Sequence, residues 1–108
     1  MKEWTHKEWL KEKNKNSAAA YYLYTPMCGT CQVASKMMDV VKELLPDLPM
    51  GKANLNYVQE IAELYKVESV PCLLITENGQ LTEKIYAFQS VPYLYGKLKS
   101  VDEKCRAW

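Results

Sequence analysis

The sequence predicts an α/β protein in which a mixed sheet of about four strands has helices on both faces. Three observations predict this class. Residues 18–25 form a short apolar and aromatic run between polar residues, which is typical of a buried strand. Apolar residues then recur at helical spacing as far as residue 45. Further on, the Asn-Gly pair at 78–79 lies between two apolar runs and indicates a β-hairpin.

The predicted elements follow one another in the order α-β-α-β-α-β-β-α. A first helix is predicted over about 5–13, because Thr5 and Glu8 have the spacing of a capping box. The strand over 18–25 comes next, and a long helix follows it over about 28–45. Two prolines then end this helix, since proline interrupts helical hydrogen bonding.

The second half of the chain supplies the rest of the sheet. Residues 50–56 are predicted as a short strand, and Asn56 as the N-cap of the helix that follows. The later elements are two strands and a helix capped by Ser90: 72–76, 81–88 and about 91–102. Two strands joined through a helix favour a right-handed parallel unit, and the hairpin adds an antiparallel pair.

Length and charge limit the kind of protein. The chain of 108 residues is expected to be one domain over 1–108, long enough to bury a core. Its 14 basic and 13 acidic residues give a net charge of +1, so the overall charge predicts neither a nucleic-acid partner nor an anionic membrane. No stretch approaches the ~18–20 apolar residues of a membrane span, and the charged N-terminal residues do not look like a secretory signal. We therefore expect a cytoplasmic protein, and a monomer.

Cys28 and Cys31 form a Cys-x-x-Cys pair where the predicted first strand gives way to the second helix. Free N–H groups and the helix dipole stabilise a thiolate at such a position, and the thiolate is the nucleophile. Cys31 lies one turn further on the same side of the helix, so a disulfide across this spacing is reachable. Gly29 and Thr30 lack bulk and leave room for a partner's backbone. The pair predicts thiol–disulfide exchange, with Cys28 attacking a target disulfide and Cys31 displacing the product.

Two other interpretations of the pair stay open. The cysteines are also compatible with two buried, inert thiols, or with half of a metal site. A four-ligand zinc site usually needs a second Cys or His pair, but the only histidine is His6. Cys72 is a possible third ligand and no fourth is evident, so no metal site is predicted. In these cases the protein would be a protein-binding or metal-binding module without redox turnover.

The chain resembles the thioredoxin family over about residues 17–102. The resemblance lies in three stretches: YYLYTPMCGTCQ, GKANLN and YKVESVPCLLITENGQ. It implies a thioredoxin-like fold and a cis Val70–Pro71 peptide bond facing the cysteines, where Val70 presents its backbone to an extended substrate segment. It also implies an electron carrier in cell redox homeostasis that reduces protein disulfides and needs no bound cofactor. Its own electron donor would be another protein, a flavin-dependent disulfide reductase.

Several positions near the cysteines depart from the family's pattern. The family's buried aspartate is replaced by Tyr22, which is a poor base near neutrality because an unperturbed tyrosine has a pKa of about 10. Lys52 matches the lysine that accompanies this aspartate, and it is expected either to extend from the end of the sheet or to tune Cys31. Met27 replaces a tryptophan and keeps apolar surface beside the thiols. Thr30 replaces a proline, and its hydroxyl can hydrogen-bond the first sulfur of the pair.

Two cysteines lie outside the pair. Cys72 follows Pro71, where the family usually has threonine, and its side chain is predicted to lie near the couple if the loop is family-like. A small core residue is the expectation for Cys72, with a third redox thiol or a metal ligand as alternatives. Cys105 lies in the C-terminal tail and is expected to be exposed and incidental, with a site for mixed disulfides or dimers as the alternative. The three tryptophans are expected to cover core surface: Trp4, Trp9 and Trp108.

Overall fold

The computed structural model describes residues 1–106. These residues form five strands, four α-helices and one short 3-10 helix. The strands are β1 (Lys2–Glu3), β2 (Ala18–Tyr24), β3 (Met50–Asn54), β4 (Cys72–Glu77) and β5 (Gln80–Ile85). The helices are α1 (His6–Lys15), α2 (Gly29–Leu44), α3 (Gln59–Tyr65) and α4 (Val91–Arg106), and the 3-10 helix is Leu55–Tyr57. Trp108 lies outside the described residues.

The strands form one mixed sheet in the order β1-β3-β2-β4-β5. Strands β1, β3 and β2 run parallel, whereas β4 is antiparallel to β2 and β5 is antiparallel to β4. The predicted mixed sheet with flanking helices is therefore confirmed. Strand β2 lies in the centre and is paired on both sides, which explains why its sequence is a continuous apolar run. In this register Tyr22 lies opposite Lys52, and Leu23 lies opposite Cys72.

The sequence-based prediction did not include the edge strand β1, and it assigned one helix cap to the wrong residue. Lys2 and Glu3 carry no apolar pattern, and their strand exists because β3 offers an edge to pair with. The prediction that Asn56 caps the third helix is wrong. The Asn56 backbone N–H instead donates to the Asn54 side chain at 3.0 Å, which starts the 3-10 helix earlier in the chain. Helix α3 begins only at Gln59 and has no side-chain cap.

The other predicted caps are present. The Glu8 N–H donates to the Thr5 hydroxyl at 3.1 Å, and the Thr5 N–H donates to the Glu8 carboxylate at 3.0 Å, so the capping box is confirmed. This backbone donor also lowers the pKa of Glu8. The Ser90 hydroxyl accepts the N–H of Tyr93 at 3.2 Å at the start of the last helix.

Some boundaries differ from their predicted positions. Strand β5 ends at Ile85, three residues earlier than predicted, so residues 86–90 form a loop instead of strand. Helix α4 runs on to Arg106, beyond the predicted end near residue 102. This loop lines a groove together with Thr30 in the first turn of α2.

The sheet separates two cores, because successive residues of a strand point to opposite faces. The α2/α4 core includes the following buried residues: Tyr22, Met38, Leu73, Ile75, Leu94 and Leu98. The α1/α3 core includes a different set: Trp4, Trp9, Tyr21, Leu23, Ile61, Cys72 and Leu74. The prediction that Trp4 and Trp9 cover core surface is confirmed. The Trp4 ring lies so close to Gly51 that a Cβ on Gly51 would overlap it.

Candidate active site

Cys28 and Cys31 are joined by a disulfide at the N-terminus of α2, with their Cα atoms 5.1 Å apart. Cys28 is the N-cap residue of this helix, and its backbone N–H donates to the Thr25 carbonyl at 3.3 Å. Cys28 is half-buried, whereas Cys31 is only 2% exposed. A partner molecule can therefore reach the outer cysteine but not the inner one.

Two donors point at the Cys28 sulfur. The Cys31 backbone N–H donates to Cys28 Sγ at 3.1 Å, and the Thr30 hydroxyl oxygen lies 3.4 Å from the same sulfur. The contact predicted for Thr30 is therefore present. Because these donors lie at the positive end of the α2 dipole, they favour negative charge on Cys28 once the disulfide is reduced.

The cis peptide bond lies beside this sulfur. The Val70–Pro71 bond is cis, as the resemblance implied, and β4 begins directly after it at Cys72. The Val70 carbonyl oxygen lies 3.9 Å from Cys28 Sγ. Both Val70 and Pro71 are partly exposed. The Val70 backbone carbonyl thus lies next to the sulfur that a substrate would approach.

A largely apolar groove of about 350 Å³ adjoins the cysteine pair. The lining comes from the first turns of α2, from the cis proline and from the loop after β5: Thr30, Val33, Ala34, Met37, Pro71, Tyr86, Ala87, Phe88 and Gln89. The Tyr86 hydroxyl accepts the N–H of Glu68 at 3.2 Å, so it ties the segment before Pro71 to the end of β5. Sequence reasoning missed the wall at 86–89, because the apolar run was assigned to the strand.

Tyr22 occupies the position where the resemblance led us to expect an aspartate. Its side chain is fully buried, and its hydroxyl donates to the Cys31 carbonyl at 3.0 Å and lies 2.9 Å from the Ser35 hydroxyl oxygen. Burial raises the pKa of Tyr22, although the bond to Ser35 partly opposes that rise. Tyr22 is therefore a neutral phenol at neutral pH, and it holds the backbone of the inner cysteine instead of serving as a base.

Lys52 extends along the end of the sheet. Its ammonium group lies 5.8 Å from the centre of the Tyr24 ring. The Tyr24 hydroxyl in turn donates to the Glu3 carboxylate, and burial together with this bond raises the pKa of Tyr24 to about 12. This contact favours the expectation that Lys52 extends from the sheet over the expectation that it tunes Cys31.

Met27 and Gly29 form open surface beside the outer cysteine. Met27 is 97% exposed, so its side chain packs against little in this structure. A Cβ placed on Gly29 would have no atom within 4 Å. The rim of the site is therefore unobstructed on this side, and Met27 offers a flexible apolar side chain to whatever binds there.

Cys72 points away from the cysteine pair. The prediction that its side chain lies near the couple is wrong, because its strand position directs the side chain into the α1/α3 core whereas α2 packs on the opposite face. Cys72 is a free thiol with no exposed surface, and burial raises its pKa to about 12. These features match the expectation of a small core residue.

Cys105 is less exposed than the sequence suggested. It lies on helix α4 as a free thiol and packs half-buried against the α2/α4 core. Partial burial raises its pKa, and the Glu77 carboxylate adds to that rise. Its thiolate fraction at neutral pH is therefore smaller than that of a free cysteine in water.

Within residues 1–106, no three His, Cys, Asp or Glu side chains lie together as possible ligands of one metal ion. The single histidine, His6, instead faces Glu60, with 3.5 Å between Nδ1 and the carboxylate oxygen. None of the helices in the same part of the chain is long and apolar enough to span a membrane.

Comparison with known proteins points to one family. The thioredoxin family model matches residues 1–99. The thioredoxin-like protein YusE of Bacillus subtilis (strain 168) is 55% identical over 78 residues, which cover 72% of this chain and 74% of that protein. A thioredoxin H-type of Fagopyrum esculentum is 27% identical over 85 residues, covering 79% of this chain and 72% of that protein.

Solved structures show the same fold. A mutant thioredoxin from Halobacterium salinarum NRC-1 superposes with a TM-score of 0.82 at 22% identity, covering 94% of this chain and 88% of that chain. The oxidized form of mitochondrial thioredoxin 3 from Saccharomyces cerevisiae gives a TM-score of 0.81 at 22% identity, covering 93% and 94%.

Proposed function

The chain belongs to the thioredoxin family and is a thiol–disulfide oxidoreductase, and from this premise we propose that it reduces protein disulfides through Cys28 and Cys31. One observation carries the proposal. The accessible sulfur lies at a helix N-terminus with two donors aimed at it, and a second sulfur is buried one turn behind it. This arrangement separates an attacking thiol from a resolving thiol.

In the first step, the Cys28 thiolate of the reduced protein attacks one sulfur of the substrate disulfide. A bond forms between Cys28 Sγ and that sulfur, the substrate S–S bond breaks, and the other substrate sulfur leaves as a thiolate. The Val70 carbonyl would accept an N–H from an extended substrate segment, as in strand-like peptide recognition. Met27, Gly29 and Pro71 would supply the surface against which that segment lies.

In the second step, the Cys31 thiolate attacks Cys28 Sγ. The Cys28–Cys31 disulfide forms, the mixed disulfide breaks, and the second substrate sulfur leaves. Two electrons have then passed from the protein to the substrate. A second protein, a disulfide reductase, would return two electrons to the Cys28–Cys31 disulfide, so the protein acts as an electron carrier without a bound cofactor.

Tyr22 affects where the proton of the Cys31 thiol goes in the second step, and therefore its rate. Its neutral hydroxyl holds the Cys31 carbonyl, so it does not take the proton of the Cys31 thiol. That proton would pass to the departing substrate thiolate or to water. We expect resolution of the mixed disulfide to be slower than in a site that has a buried carboxylate at this position, which favours a specialised substrate range.

The remaining expectations from the sequence stay proposals. We propose that residues 1–108 are one domain, that the protein is a monomer, and that it works in the cytoplasm. Cys72 and Lys52 have no direct part in the proposed exchange, because Cys72 faces the opposite core and Lys52 lies against Tyr24.

Insulin reduction by the reduced protein tests the proposal. We expect Cys28→Ser to abolish reduction above background, since the attacking thiol of the pair is removed. Cys31→Ser should instead accumulate a mixed disulfide with an insulin chain, visible by mass as one covalent adduct on Cys28. Cys105→Ser is the matched control and should keep the native rate. Undiminished insulin reduction by Cys28→Ser would contradict the proposal.

A further inference from the structure

Helix α2 carries an apolar row that the fold does not cover. Val33, Val40 and Leu44 are 57%, 45% and 52% exposed, and Met37 between them is half-buried. Their spacing of four, three and four residues places them on one face of the helix. The row spans about 16 Å at 1.5 Å per residue. Single exposed apolar residues are ordinary, but a continuous row of them indicates a binding surface. We call these four residues the α2 seam.

The α2 seam begins inside the candidate active site. Val33 and Met37 also line the groove beside Thr30 and Pro71. From there the seam leads away from the cysteines through Val40 to Leu44. Thr30 and Pro71 place this groove beside the cysteine pair, so a protein bonded to Cys28 has the first half of the seam within reach. Continuity with the groove therefore makes the disulfide-bearing partner the natural occupant of the second half.

The spacing of the seam also indicates the shape of that occupant. Alternating steps of four and three residues are the repeat by which two helices interlock their side chains along a coiled-coil seam. Lys36 and Glu43 are exposed on the outer flank of the seam, where flanking charges select a partner helix. We propose that the α2 seam docks an amphipathic helix of the protein whose disulfide Cys28 attacks. This inference rests on the proposed function, and it adds a partner contact remote from the sulfur chemistry.

Two synthetic peptide disulfides test this docking. Each peptide carries one cysteine in a mixed disulfide with glutathione. The first continues into a helix with apolar residues at three- and four-residue spacing, and in the second these residues are glutamines. Reduction consumes the two electrons of the Cys28–Cys31 dithiol and releases the peptide thiol and glutathione. The second-order rate constant is followed by mass, and oxidised glutathione is the substrate that has no helix.

We expect the native protein to reduce the amphipathic peptide about tenfold faster than the glutamine peptide, because two more apolar side chains are buried on docking. The double variant Val40→Gln/Leu44→Gln should lose this preference while keeping the native rate with oxidised glutathione. Leu64→Gln is the matched control, since Leu64 is 62% exposed on α3, and it should keep the preference. Thermal unfolding verifies that each variant is folded.

Equal rates for the two peptides with the native protein would overturn the inference without any variant. If the native protein reduced neither the peptides nor oxidised glutathione, the proposed function itself would fail. A concentration-dependent dimer in sedimentation, lost in the double variant, would show that the seam binds a second copy of this chain. That result would overturn the assignment to a disulfide-bearing partner.

Discussion

Cys31 and Cys72 are both buried, yet the structure places them in opposite chemical situations. Cys31 is 2% exposed and Cys72 has no exposed surface. Cys31 lies in the first turn of a helix with a second sulfur bonded to it. Cys72 lies in β4, an interior strand, among apolar side chains, and its pKa is raised to about 12. Burial alone therefore does not decide whether a thiol takes part in exchange. The helix terminus and a partner sulfur decide it.

Alkylation of the reduced protein should give the largest contrast between the two regions. At pH 7.5 we expect iodoacetamide to modify Cys28 at least about a thousandfold faster than Cys72, because Cys72 is both protonated and inaccessible. Peptide mapping by mass spectrometry measures the two rates. In guanidinium chloride the difference should disappear. Rapid labelling of Cys72 in the folded protein would show that its thiol is accessible to solvent, contrary to its burial in the structure.

Alkaline pH should destabilise the folded protein partly through Cys72. The pKa of Cys72 is raised from 9.0 to about 12 on folding, so between these values the unfolded chain has lost a proton that the folded chain keeps. Stability from this group is complete below pH 9 and falls as pH rises, by at most about 1.4 kcal/mol per pH unit.

Cys72→Ala tests this dependence. The variant should flatten the decline of the unfolding free energy between about pH 9 and pH 10, before the buried tyrosines begin to contribute. Urea unfolding at several pH values measures the slope, which a pH-independent loss of packing does not change. An unaltered slope would show that Cys72 is less shielded than the structure indicates.

Removing the Tyr22 hydroxyl should have a moderate effect. Tyr22→Phe keeps the ring but leaves the part-buried Ser35 hydroxyl and the buried Cys31 carbonyl without this partner. We expect a loss of about 1–2 kcal/mol in the free energy of unfolding. Tyr24→Phe is the control, because its bond to Glu3 is at the surface and should be worth about 0.5 kcal/mol or less. Equal losses of unfolding free energy in the two variants would show that the hydrogen bonds of Tyr22 stabilise the fold no more than the surface bond of Tyr24.

The Thr30 hydroxyl should have the smallest effect. At 3.4 Å from Cys28 Sγ its hydrogen bond is long. We therefore expect Thr30→Val to slow the alkylation of Cys28 at neutral pH by only about two- to threefold. Thr30→Ser should restore the native rate. A tenfold lower alkylation rate of Cys28 in Thr30→Val would show that this side chain, more than the helix terminus, activates Cys28.

The sequence predicted those features that depend on local pattern. The Cys28 and Cys31 spacing, the apolar run of β2 and the turn at Asn78 each have short-range signals, and the structure agrees with them. The cis bond before Pro71 came from family resemblance, because most bonds before proline are trans. Fold class and the position of the redox pair were thus within reach of the sequence alone.

The features that depend on pairing and register were not predictable in the same way. Strand β1 exists only through its pairing with β3. The face occupied by Cys72 depends on its register opposite Leu23, and a shift by one residue would reverse it. The groove wall at Tyr86 and Phe88 depends on where β5 ends. No local pattern in the sequence determines this pairing, this register or the residue at which β5 ends.

A titration of the four thiols in a series of defined redox buffers tests whether Cys28 and Cys31 are the redox couple of this protein. Free cysteines are trapped at each potential and the protein is weighed by mass, with the modified residues located by peptide mapping. We predict one two-electron transition, assigned to Cys28 and Cys31, while Cys72 and Cys105 stay reduced throughout. A pair that never forms a disulfide, or a transition that includes Cys72, would contradict the account.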